Sequence, residues 1–146
     1  MGIAASSIIP PVYGYVYPGT ASYVAGPVGK FNMTIDVYTN TGLTPPSGSG
    51  SMSGMSNNGV AGYYSGGITK TGNMSTSDKL SYATDTFTAL KKALSQQTQA
   101  PSSISNSGTA GYVAAGSGPT FANSSMLIYF FSSGVFVVVV VSASPR

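Results

Sequence analysis

The feature that most constrains this chain is a segment that occurs twice. Residues 56–63 read Ser-Asn-Asn-Gly-Val-Ala-Gly-Tyr, and residues 105–112, which lie 49 positions later, read Ser-Asn-Ser-Gly-Thr-Ala-Gly-Tyr. Self-similarity at a period of roughly 20–50 residues is typical of stacked or radial arrays whose units cannot bury an apolar face alone. We therefore expect an array of similar units that functions within an assembly.

A fainter copy of the motif, Gly-Thr-Ala-Ser-Tyr-Val-Ala-Gly, occupies residues 19–26 and precedes the second copy by 40 residues. Its alanine and first tyrosine keep the same offsets from the leading glycine as in the other two copies. The spacing predicts an N-terminal arm at residues 1–18 and a single β domain at 19–146. Within that domain it predicts three degenerate repeats, at 19–58, 59–107 and 108–146.

Each repeat places turn-forming and strand-forming residues in the same order. A turn rich in Asn, Ser and Gly precedes a short strand centred on tyrosine, and a second polar turn precedes another strand. These are hairpin signals. They predict an all-β fold of antiparallel sheet units, each about 40–49 residues long by the spacing of the motif, arranged as propeller-like blades or as an open sandwich with little helix.

One segment, residues 85–97, carries a pattern that favours a helix. Phe87, Leu90 and Leu94 have helical spacing, and Asp85 precedes them in the place of an N-cap. We expect at most a short helical turn here. The alternative is an outer strand followed by a loop of the middle repeat.

A glycine pair, Gly66-Gly67, follows the tyrosine strand of the middle repeat, and Ala115-Gly116 is a degenerate copy of that pair. In this respect the chain resembles the kelch-like β-propeller repeats, which are antiparallel blades of about 50 residues. The resemblance is best over residues 59–107, and similar blocks occur in predicted surface and tail proteins of phages and cyanobacteria. Propellers close with about 4–8 blades. The resemblance therefore implies either that several chains complete a ring or that the repeats form an open β structure.

The composition is poor in the residues that most enzymes use. Histidine, cysteine, tryptophan and glutamate are absent, which excludes the usual zinc sites, a thiolate nucleophile and a Ser-His-Asp triad. We therefore expect no enzymatic activity and no cofactor. The six cations are scattered rather than clustered on one face, as a phosphate-binding surface would require, so we expect no nucleic-acid partner.

Three aspartates remain as candidates for catalysis or metal binding. Asp36 and Asp78 are predicted to occupy equivalent positions in the first two repeats, directly before Val37 and Lys79. A calcium site or a pair of catalytic carboxylates would need both acids close together. The third repeat has no acid at this place, so we interpret these aspartates as turn caps.

The C-terminal residues 126–141 form an almost wholly apolar segment interrupted by Ser-Ser-Gly at 132–134. The segment is shorter than the roughly 20 residues that span a bilayer as a helix, so we expect no membrane span. Its β-branched content favours two strands. The second strand shows no alternation, which predicts that both of its faces are covered. The candidates for a subunit interface are Val135, Phe136, Val138 and Val140.

Only 6% of the residues are charged, against a typical value of about 25%, and a surface so poor in charge favours association. We therefore predict a non-catalytic structural subunit of a symmetric assembly, in a virion or on an extracellular surface. The expected partners are other copies of the chain and other structural proteins of the same particle, and capsid decoration, cement and tail-fibre proteins are examples. The alternative is a carbohydrate-binding or adhesion module, whose contact candidates are Tyr13, Tyr15, Tyr17, Tyr63 and Tyr64.

Overall fold

The computed structural model describes residues 12–17, 23–91, 94, 97–106, 108–114 and 116–118, and the backbone of strands 20–21, 125–130 and 135–140. The described residues contain fifteen β-strands and no helix, so the predicted all-β class is confirmed. The strands are short because glycines and polar turns interrupt them every few residues.

The strands are numbered in chain order. They are β1 (Tyr13–Val16), β2 (Thr20–Ala21), β3 (Val24–Ala25), β4 (Gly29–Asn32), β5 (Val37–Asn40), β6 (Ser53–Asn57), β7 (Ala61–Ser65), β8 (Ile68–Thr69), β9 (Gly72–Asn73), β10 (Ser77–Ser81), β11 (Thr86–Ala89), β12 (Ser102–Asn106), β13 (Ala110–Ala114), β14 (Ser125–Phe130) and β15 (Val135–Val140).

Three larger sheets follow one another along the chain. The first sheet has the order β1-β4-β5, the second β11-β10-β7-β6 and the third β12-β13-β14-β15, and two-stranded ribbons, β2-β3 and β8-β9, lie between strands of the first and second sheets. Every pairing is antiparallel. The described sheets form an open array, and none of them closes into a barrel.

The strand registers repeat at 49 residues across all three sheets. In each sheet the last two described strands pair with the same offset, and the partners at one position are Gly29 with Asn40, Asp78 with Ala89, and Leu127 with Val138. Each pair thus lies 49 residues beyond the preceding one. The three sheets are therefore structural copies of one unit.

The first copy of the unit differs from the motif-based alignment. Tyr15 pairs with Lys30 as Tyr63 pairs with Lys79, so β1, and not residues 19–26, corresponds to the repeated tyrosine strand. The motif at 19–26 instead contributes to the ribbon β2-β3, which has the place of β8-β9 in the second unit. The strands β6 and β12 pair with the strands that follow them, so each of the last two sheets begins one hairpin strand before its predicted repeat.

The equivalence predicted between Asp36 and Asp78 is wrong. Asp36 and Asp85 lie in the turn before the last strand of their sheets, with left-handed φ values of 53° and 49°, whereas Asp78 lies within β10. The expected helical turn after Asp85 is also wrong, because Thr86–Ala89 is strand β11 at the edge of the second sheet. The hairpin register with β10 outweighs the helical spacing of the apolar residues.

The second sheet is packed between the other two. Its strand β7 is buried along its whole length, and successive side chains of a strand point to opposite faces. Tyr63 packs with Val113 of the third sheet, whereas Tyr64 packs with Val28 beside the first sheet. The core therefore consists of two layers, one on each face of the second sheet.

The second and third sheets meet along their first strands. Strand β6 lies against β12 and β13, the Ser103 hydroxyl donates to the Gly54 carbonyl, and the Ser56 N–H donates to the Ser105 hydroxyl at 3.5 Å. Both hydrogen bonds join residues 49 positions apart, so like positions of consecutive units are in contact. The two sheets therefore approach each other at one edge, like the blades of a fan.

Candidate functional site

A groove lined by aromatic side chains lies where the first sheet meets the second. Its volume is about 710 Å³, and its lining includes Tyr13, Tyr15 and Tyr82 together with Ser56 and Asn58. The rings of Tyr15 and Tyr82 are stacked, with centroids 4.8 Å apart and an interplanar angle of 2°. The Tyr82 hydroxyl lies 3.0 Å from the Ser56 hydroxyl. The groove thus combines flat apolar surfaces with neutral polar groups.

An ion pair lies beside the stacked rings. Lys30 Nζ donates to Asp85 Oδ2 at 2.7 Å, the Tyr15 hydroxyl donates to Asp85 Oδ1, and the same ammonium lies 4.4 Å from the centroid of the Tyr13 ring. Partial burial acts to raise the pKa of Asp85, but the hydrogen bonds from Lys30 and Tyr15 outweigh it and lower that pKa. The hydrogen bond to Asp85 raises the pKa of Lys30. This side of the groove is therefore polar and already internally paired.

Sequence reasoning proposed five tyrosines for sugar contact, and the structure separates them. Tyr13 and Tyr15 line the groove. Tyr17 packs against Tyr64 and donates its hydroxyl to the Ser49 carbonyl, and burial raises its pKa to about 12. Tyr63 and Tyr64 are 2% and 5% exposed and belong to the two core layers, so their rings contribute to packing. The second sheet supplies Tyr82 and Asp85 to the groove, although no sequence motif had indicated them.

The four candidates for a subunit interface, Val135, Phe136, Val138 and Val140, lie on strand β15. Their side chains are outside the described part of the structure. Strand β15 stands at the end of the third sheet, and β14 is its one partner among the described strands. Its backbone therefore presents an edge of the kind that can pair with another strand.

The outer face of the first sheet exposes apolar side chains at positions that are covered in the second sheet. Val16 and Tyr38 are 53% and 55% exposed, and their register equivalents are Tyr64 and Phe87. Both equivalents pack in the layer between the first two sheets. Met33 is likewise exposed and lies 3.5 Å from the β-carbon position of Gly14, as Tyr82 lies over Gly62. We call this surface, defined by Val16, Met33 and Tyr38, the leading face.

The third sheet has a corresponding outer surface. Ile104 is 71% exposed, whereas its register equivalent, Met55, is 3% exposed in the layer between the second and third sheets. Tyr112 is the equivalent of the buried Tyr63 by the same register and is half-buried. We call this surface, defined by Ile104 and Tyr112, the trailing face. Applying the 49-residue period to residues 12–40 would have indicated both faces from the sequence.

Asp78 is fully buried beside the core. Its Oδ2 accepts hydrogen bonds from the Ser47 N–H at 3.2 Å and the Ser47 hydroxyl at 2.5 Å, and its Oδ1 has no partner among the described residues. Burial raises the pKa of Asp78, and the hydrogen bonds from Ser47 oppose this rise. The described part of the chain contains no group of three or more acidic or other metal-ligating side chains.

No protein-family model matches the chain, and a search of curated proteins found no significant match. In the part of the chain that the structure describes, no helix is long and apolar enough to cross a membrane.

Proposed function

We propose that this protein is a non-catalytic structural subunit of a symmetric assembly, in particular a virion component such as a capsid decoration, cement or tail-fibre protein. The expected partners are other copies of the chain and structural proteins of the same particle, in a virion or at an extracellular surface.

The proposal rests on one observation, the exposure of apolar side chains on the leading and trailing faces. Tyr38 and Ile104 are both more than half exposed, while Phe87 and Met55, their equivalents inside the array, are covered by a neighbouring sheet. Exposed apolar patches rimmed by polar residues are typical of protein interaction sites. A chain with 6% charged residues also has little charge to desolvate when it associates.

The mechanism would be surface complementarity. Strands with apolar faces stack on a neighbour, and loops rich in Ser, Gly and Asn fill the spaces between subunits without unpaired charge. The apolar edge strand β15 offers a second means of association, because an edge can be extended by a strand of another subunit.

Sedimentation velocity at micromolar concentration and neutral pH tests the proposal. We expect the purified chain to sediment as an oligomer of its 14.8 kDa subunit, or to bind isolated particles that lack it. A well-folded 14.8 kDa monomer that binds no such particle would refute the proposed role.

The groove favours carbohydrate binding as a second candidate function. Carbohydrate sites commonly use aromatic faces and neutral hydrogen-bonding groups, and Tyr13, Ser56 and Asn58 supply such groups here. A glycan array would test this function. A sugar that binds the wild type and is lost in Tyr13→Ala, but not in Tyr23→Ala, would support it, because Tyr23 is an exposed tyrosine that does not line the groove. An array with no reproducible signal would exclude it.

A further inference from the structure

The interface between neighbouring sheets is used twice within the chain, each time with the same polarity. One face of a unit, marked by Tyr15 in the first sheet and Tyr63 in the second, packs on the opposite face of the next unit. The trailing face of the third sheet is the next surface of the first kind. The leading face of the first sheet is the preceding surface of the second kind. The two exposed faces are therefore complementary to each other by construction.

Building on the proposed role as an assembly subunit, we propose that two copies of the chain associate head to tail. The trailing face of each copy packs on the leading face of the other. The occupant of each exposed face is thus a second copy of the same chain, held by the contacts that already join consecutive sheets.

The stacking inside the chain favours closure of this contact into a ring. Strand β6 lies against β12 and β13, so the second and third sheets converge at their first strands. Units that converge at one edge rotate about a common axis from one unit to the next. A head-to-tail contact repeated with such a rotation closes into a ring when the rotations sum to a full turn. Two copies supply six large sheets, three from each, which is within the range of about four to eight at which propellers close.

The packing inside the chain also identifies which side chains would meet. Tyr15 stacks on Tyr82 between the first two sheets, with centroids 4.8 Å apart. Tyr112 is the equivalent of Tyr15, and Met33 is the equivalent of Tyr82. Tyr112 of one copy would therefore lie on Met33 of the other, a pair of the sulfur–aromatic type that is favourable in protein cores.

Chemical crosslinking tests this arrangement directly, because the chain has no cysteine of its own. A Met33→Cys, Tyr112→Cys double variant would be treated with a short bis-maleimide, with each single variant as a matched control. We expect a covalent dimer from the double variant and monomer from either single variant, since the two positions lie on opposite end faces of one chain. Crosslinked single variants would indicate a two-fold interface of like faces and overturn the inference, and a ladder of larger products would overturn closure.

A second comparison does not depend on introduced cysteines. Ile104→Lys places a charge in the trailing face, whereas Val60→Lys alters an equally apolar and exposed residue in a turn of the second sheet. We expect sedimentation to show half the wild-type mass for Ile104→Lys and the wild-type mass for Val60→Lys, with unchanged circular dichroism. A wild-type oligomer that gives no crosslink and tolerates Ile104→Lys would overturn the inference and leave the proposed function standing. A monomeric wild type that binds no particle would overturn both.

Discussion

At the residue scale, two glycines occupy equivalent positions that no other residue can take without distortion. Gly67 and Gly116 have φ values of 109° and 101°, and each follows a tyrosine strand. A β-carbon at Gly67 would lie 2.5 Å from the Gly50 carbonyl oxygen, and one at Gly116 would lie 2.8 Å from the Gln99 carbonyl oxygen. The close approach of two backbone segments explains why the glycine is kept in both copies.

We expect Gly67→Ala to lower the free energy of unfolding by about 2 kcal/mol or more, because a strained φ alone costs of order 1–3 kcal/mol and the backbone contact adds to it. The glycine inside the repeated motif, Gly62, is not in the left-handed region, and its nearest neighbour is the Tyr82 hydroxyl at 3.1 Å. Since that ring can shift, Gly62→Ala should cost less than Gly67→Ala. Urea unfolding of both variants decides the order, and Gly54→Ala, with ordinary contacts, is the control.

Asp78 gives the stability a pH dependence of a definite sign. Because burial raises its pKa above the ordinary value of 3.8, the folded protein binds a proton more tightly than the unfolded chain. Stability should therefore increase as the pH is lowered from neutral, through the raised pKa, towards 3.8. Asp85, whose pKa is lowered, contributes stability that is lost only below its own ordinary value.

Melting temperatures measured between about pH 7 and pH 4 test this expectation. We expect Asp78→Asn to remove the rise in melting temperature on acidification, while Asp36→Asn, at an exposed turn position, leaves it unchanged. A wild-type melting temperature that falls steadily over this range would contradict the assignment.

At the element scale, the hairpin is the unit that sets the sheet. In the hairpins β4-β5 and β10-β11, an aspartate with left-handed φ precedes the last strand, and Gly134 occupies the corresponding position of the third repeat in the sequence. Aspartate and glycine are among the residues that adopt this conformation most readily. The same turn chemistry therefore recurs at 49-residue spacing, although the residue differs.

The last hairpin places an apolar strand, β15, at the edge of the third sheet. We expect the double variant Val138→Lys, Val140→Lys to prevent association beyond the head-to-tail dimer, because lysine on an edge strand blocks pairing with another strand. Light scattering at increasing protein concentration measures this. If larger assemblies form as readily as in the wild type, β15 faces no neighbour and another surface must hold them together.

At the scale of the whole molecule, folding and association are expected to be coupled. The leading and trailing faces leave apolar side chains exposed on the isolated chain, and anything that binds the folded state alone raises the apparent stability. The melting temperature of the wild type should therefore rise with protein concentration. Ile104→Lys should abolish the dependence while Val60→Lys retains it. A concentration-independent melting temperature in the wild type would contradict this coupling.

The sequence by itself determined the features that depend on local chemistry. The 49-residue spacing, the all-β class and the glycines after the tyrosine strands can be read directly, because turns and short strands are specified by residues close together in the chain. The absence of histidine and cysteine likewise restricts the available chemistry without reference to any fold.

Only the tertiary structure decided how the first repeat aligns and which tyrosines are accessible. The pairing of Tyr15 with Lys30 is offset by 48 residues on one strand and 49 on the other from the pairing of Tyr63 with Lys79, a difference that obscures the first copy of the motif. Tyr63 and Tyr64 are adjacent in sequence but belong to different core layers. Because a one-residue change of register moves every side chain of a strand to the opposite face, burial follows from pairing between distant strands, and local sequence does not encode it.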